Sequence, residues 1–263
     1  MDAIRQNLIE LFDRANLKLS LAAEPLARTT SSAIVQLDIR RGKTKADEHF
    51  RLWPGAASNH IAVQGVDRSL EQLVLLVHEP RRSFQFEMNR KLAERTPGLK
   101  IVRKTERQAW VERVTDASKR HFLVGMDEQH CFIAQLPHGA STVQAAHALL
   151  RPPELDARAA GKAVRQGEFF FVEPTADQLK RYLQLGRGIG WRTNVGIAAA
   201  AKWVRAGRQH VAEAVWALAD GIVLVKGNVR HPDHKTLYFS DWRRVFQNRE
   251  AYEAPPPGVL WVD

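Results

Sequence analysis

A chain of 263 residues with 44% hydrophobic and 26% charged residues can bury one large core or two modest ones, which excludes a disordered chain. The 39 Lys plus Arg against 29 Asp plus Glu leave a formal charge of +10, so polyanions are the favoured partners, nucleic acid before an anionic membrane surface; a solvated basic surface without a ligand is the competing reading. The single cysteine, Cys131, excludes an internal disulfide and reads as a small buried hydrophobe, and no apolar run reaches the length of a membrane span.

Met1-Asp-Ala-Ile-Arg-Gln-Asn lacks an uninterrupted apolar signal region, so the expected location is the cytoplasm. Ile4, Leu8, Leu11 and Phe12 recur at helical spacing and predict a short amphipathic helix capping a sheet. The runs Ala33 to Ile39, His49 to Trp53, His60 to Val66, Leu70 to Val77 and Ser83 to Phe86 read as a meander of strands, with Leu70 to Val77 also compatible with a helix. Ile101-Val102, Ala109 to Val111, His121 to Val124 and Cys131 to Ala134 follow as antiparallel strands. Met126-Asp-Glu-Gln129 is the hairpin turn between the last two.

Ser141 opens a helix bearing Val143, Ala146, Leu149 and Leu150 on one face, and Pro152-Pro153 ends it. The alanine-rich stretch from Glu154 to Lys162 is helix or linker. Beyond it, Ala163 to Gln166 and Phe169 to Val172 predict a strand pair around Gly167, and Thr175 with Gln178 predicts a capping box. A glycine-rich basic loop, an alanine-rich helix from Ala198 to Trp203, and two strands, Gly221 to Val229 and Leu237 to Phe246, complete the pattern before an extended tail from Ala254. The expected class is α+β: two mainly antiparallel β-rich modules, 1–137 and 163–263, joined by a helical connector at 138–162, the second carrying a basic helical insertion.

Between Gln178 and Ala212 the chain holds Lys180, Arg181, Arg187, Arg192, Lys202, Arg205 and Arg208 with no acidic residue, interleaved with Tyr182, Trp191 and Trp203. Cations beside planar rings suit single-stranded nucleic acid, whereas rings buried in helix cores beneath solvated cations are the bland alternative. Gly186-Arg-Gly-Ile-Gly190 lacks the glycine spacing of a nucleotide fingerprint. From Arg81 to Arg120 a second basic region counts 12 Lys or Arg against 5 acids, a weaker signal.

His231-Pro-Asp-His234 places two imidazoles and a carboxylate in one turn, and His210 with Glu168 could complete a divalent-metal site if these segments converge. A solvated turn is the bland alternative. The leading expectation is a protein that binds RNA or single-stranded DNA through Lys180, Arg181, Arg187, Trp191, Arg192, Lys202, Arg205 and Arg208. The first alternative is a metal-dependent phosphodiester hydrolase with Glu168, His210, His231 and Asp233 as catalytic groups and a divalent ion on His210, His231 and His234. The second is an adaptor that docks an acidic protein partner on the basic face.

Arg165-Gln-Gly-Glu-Phe-Phe-Phe-Val172, His210, Val223-Leu-Val225, Val229-Arg-His-Pro-Asp-His234 and Val245-Phe-Gln-Asn-Arg-Glu250 resemble a small β-rich module of uncharacterised bacterial and phage proteins. The resemblance covers roughly the last third of the chain, departs from it in the basic insertion between Thr175 and Gly207, and implies a fold type and a clustering of polar residues but no reaction.

Overall fold

The computed structural model describes residues 2–26, 32–41, 47–127, 130–155, 162–203 and 208–250. Arg205, turn residues Glu128 and Gln129, most of the alanine-rich stretch and the tail lie outside the described residues. Strand accounts for 49% of the structure and helix for 19%, so the β-rich reading holds, with several antiparallel sheets.

Helix α1 (Asp2–Arg14) precedes β1 (Leu19–Leu21), β2 (Gln36–Arg40) and β3 (His49–Trp53), a three-stranded sheet in the order β1-β3-β2. Next come β4 (His60–Asp67), β5 (Gln72–Glu79), β6 (Arg82–Asn89), α2 (Arg90–Arg95), β7 (Leu99–Lys104), β8 (Gln108–Thr115), β9 (Ser118–Asp127) and β10 (His130–Gln135). A second sheet runs β10-β9-β5-β4, and β6-β8-β7 form a third, over which α2 packs Ala93 against Ala109 and Val111.

The segment that also fitted a helix is β5, and its surroundings explain the ambiguity. Leu73, Leu75 and Val77 join Phe12, Phe50, Leu52, Phe122 and Val124 in one core, while Val74 faces Leu123, Ala134 and helix α3 (Val143–Leu150) in another. A strand covered on both faces is an unbroken apolar run, without the alternation that marks a half-exposed strand. Burying each of these large aliphatic side chains stabilises the fold by roughly 1.5–3 kcal/mol.

The last part of the chain supplies β11 (Val164–Gln166), β12 (Phe169–Val172), α4 (Ala176–Leu185), β13 (Arg192–Gly196), α5 (Ile197–Ala201), β14 (Val211–Ala217), β15 (Val223–His231) and β16 (His234–Gln247). The strands form a six-stranded antiparallel sheet ordered β11-β12-β16-β15-β14-β13. Phe169, Phe171, Val215, Val225 and Val245 pack with α5, and Trp216 and Leu224 pack beneath Tyr182 of α4. The Thr175–Gln178 capping box starts α4 as the spacing predicts. Among the described residues, β1, α2, β13 in place of a loop, β14 and a single 3-10 turn at Ala219–Gly221 depart from the expected pattern. Edge strand β13 exposes Arg192, Thr193 and Asn194, and a bulge between Ala212 and Ala214 interrupts β14, so neither carries a clean two-residue period. No helix among the described residues is long and apolar enough to cross a membrane.

Candidate functional site

Strands β15 and β16 are joined by the two-residue turn Pro232-Asp233, and His231 pairs directly with His234 at its base. Residues opposite one another in an antiparallel ladder share a face, so both imidazoles project to the same side, ring centroids 4.8 Å apart. His210 immediately precedes β14, whose Val211 pairs with Arg230, and its ring stacks 4.2 Å from that of His231. One nitrogen from each of His210, His231 and His234 falls within 4.8 Å of the others. His210 thus reaches the cluster from the entry to a strand rather than from a helix.

The turn between β11 and β12 closes the cluster from the adjoining edge. Gly167 holds φ +55° there, and a Cβ on it would lie 3.0 Å from His210 Cε1 and 3.1 Å from His234 Nε2. Only glycine meets both the positive φ and the close approach without strain. The next residue, Glu168, sets Oε2 3.5 Å from His210 Nδ1, and its backbone carbonyl accepts from Asn248 N–H at 2.7 Å, so the start of β12 and the end of β16 are locked side by side.

His231 Nε2–H donates to the Arg208 carbonyl at 3.3 Å, which leaves the lone pair on Nδ1, where Asp233 N–H approaches to 3.2 Å. Both ring nitrogens are thereby engaged, so ligation through Nδ1 would displace the Asp233 N–H contact. The Asp233 carboxylate is engaged by two arginines, with Arg41 NH1 on Oδ1 at 3.2 Å, Arg41 NH2 on Oδ2 at 2.9 Å, and Arg208 3.5 Å from Oδ1. Burial pushes the Asp233 carboxyl up, but Arg41, His231 and Arg208 together outweigh it and hold the group below the usual carboxylate range. Asp233 therefore anchors the turn, and Glu168 is the carboxylate beside the histidines.

These groups line a cavity of about 90 Å³, and Arg41 with Asp127, His130 and Cys131 of the β9–β10 hairpin line it too. Arg165 enters from β11, its Nε–H donating to the Gly167 carbonyl at 3.0 Å. Arg41, Asp127 and His130 carry no local pattern marking them as neighbours of the histidines. Arg165 alone, two residues before Gly167, stands close to the turn in sequence. Burial, with Glu48 and Glu71, raises the Cys131 thiol to about 12, consistent with a structural cysteine.

The basic residues are spread more widely. Lys180 and Arg181 ride on α4, Arg187 follows it, Arg192 begins β13 and Lys202 caps α5 in the left-handed conformation. Arg208 instead sits at the histidine cluster. Of the three interleaved aromatics, Tyr182 is buried and Trp203 packs 6.1 Å from Phe169, whereas Trp191 is 59% exposed and meets Trp216 and Trp242 edge-on. Comparison with protein families, with curated proteins and with solved structures finds no match to this chain.

Proposed function

We propose that the chain is a divalent-metal-dependent phosphodiester hydrolase acting on nucleic acid. The observation that carries this reading is the convergence of His210, His231 and His234 within 4.8 Å beside Glu168 in a cavity that Arg41 and Arg165 also line. Imidazole donors suit zinc and other first-row ions, and three protein ligands leave a position open to water and substrate. A bound ion would activate water and offset charge developing on phosphate, while Arg165 takes the non-reacting oxygens.

Two modules, 1–137 and 163–263 with 138–162 between them, would then each supply one wall of the site, and the cytoplasm is the proposed place of action. Elemental analysis of the purified protein and nuclease assays on His231→Ala and His234→Ala test the reading. Both variants should lose metal and cleavage; full metal-dependent cleavage by both overturns it.

A second reading, nucleic-acid binding without cleavage, is favoured by the exposed Trp191 between exposed Arg187 and Arg192. Replacing these three by alanine should weaken binding to single-stranded RNA and reduce its salt slope by about one per lost phosphate contact. Absence of RNA and DNA affinity at low salt overturns it and favours an acidic protein partner on the same face, which a pull-down with and without nuclease distinguishes.

A further inference from the structure

We propose that His130, oriented by the buried carboxylate of Glu48, is the general acid that protonates the leaving oxygen when a phosphodiester is cleaved in this cavity, an inference that rests on the hydrolase reading above. Glu48 has a side chain only 4% exposed, with Oε2 3.2 Å from His130 Nδ1 and accepting from Cys131 N–H at 3.2 Å. A carboxylate pinned by a strand backbone and set against one ring nitrogen selects the Nδ1–H tautomer and fixes the ring plane. Nε2 is then the nitrogen that gives and takes protons. Its ring, 32% exposed, borders the cavity from β10, and the three clustered histidines border the same cavity.

Several other lining groups are poorly suited to the task. The Cys131 thiol, at about 12, is a weak acid, and the guanidinium of Arg41 does not release its proton. The Asp233 carboxylate is occupied by Arg41, and Glu168 lies beside His210. Among the described lining residues, His130 is the one imidazole outside the cluster.

In the step itself, a water oxygen bonds to phosphorus and sheds a proton to solvent. The ester P–O bond breaks, its electron pair stays on the departing oxygen, and that oxygen takes the proton from Nε2 of the protonated His130. Neutral His130 keeps Nδ1–H on Glu48 and regains its Nε2 proton from solvent.

A nitrophenolate departs without a proton whereas a sugar alkoxide needs one, so the leaving group separates an acid from a structural residue. The test compares thymidine 5′-(p-nitrophenyl) phosphate with the dinucleotide thymidylyl-thymidine, using the full chain loaded with zinc or manganese. His130→Ala should lose about 100-fold or more in kcat on the dinucleotide and less than about tenfold on the nitrophenyl ester, with metal affinity unchanged. Glu48→Gln should shift the same ratio in the same direction, and serves if the alanine variant melts early. Equal losses on both substrates, or none, overturn the general acid while leaving the hydrolase reading intact. A metal-loaded wild-type protein that cleaves neither substrate overturns both.

Discussion

Asp233 lies in the fork of the Arg41 guanidinium, both carboxylate oxygens engaged, across 192 residues of sequence. Because Asp233 is the second residue of the turn between His231 and His234, this pair fixes the backbone from which both imidazoles project. Asp233→Asn and Arg41→Ala should each weaken zinc affinity by about 10- to 100-fold while leaving all three histidines in place. Isothermal titration calorimetry measures it, and unchanged affinity would show that the turn holds its shape without the pair.

Gly167 is the tightest point of the site. Gly167→Ala imposes a side chain on a φ of +55° and drives its Cβ against the His210 and His234 rings. Expected outcomes are a loss of about 1–3 kcal/mol in urea unfolding and a weakened metal complex. Wild-type stability together with wild-type metal affinity would contradict the geometry.

His147 should make stability depend on pH. Gln72 Nε2 donates to the Met126 carbonyl, so Gln72 Oε1 accepts from His147 Nε2–H at 2.7 Å, and Nδ1 is left facing Arg165 NH1 at 3.4 Å. Burial first, then the Arg165 charge, push this imidazole below its ordinary 6.5. The unfolded chain therefore binds a proton that the folded chain refuses, and stability rises with pH across that interval. The contribution is complete above about 6.5 and is lost as pH falls toward the folded value. Urea midpoints taken from about pH 7 down to about pH 5 should fall more steeply for wild type than for His147→Gln. Parallel curves would refute it.

Cys131 should be inert in the native protein. With its thiol raised to about 12 by burial, almost no thiolate exists near neutrality. Iodoacetamide at about pH 8 should modify the urea-unfolded chain and leave the folded one unmodified, as read by intact mass. Equal labelling in both states would mean that the thiol is open to solvent.

Local chemistry was legible in the sequence wherever the structure depends on neighbours along the chain. The Thr175–Gln178 cap, the strand pair about Gly167 and the histidine turn each lie within a few residues, and the resulting elements form as their spacing predicts. The three-histidine candidate could be named from residue type, but its closure depended on β14, an element its alanine-rich, bulged sequence conceals. Which of the interleaved rings is buried was decided by tertiary packing: Tyr182, on the capped helix, is covered, and Trp191, outside it, is exposed. Arg41 reaching Asp233, and Glu48 reaching His130 across 82 residues, were likewise settled by the way the sheets pack. A composition or period reports on one element at a time, whereas a site assembled from the ends of β2, β10, β11, β14 and β15 exists only once those elements have been brought together.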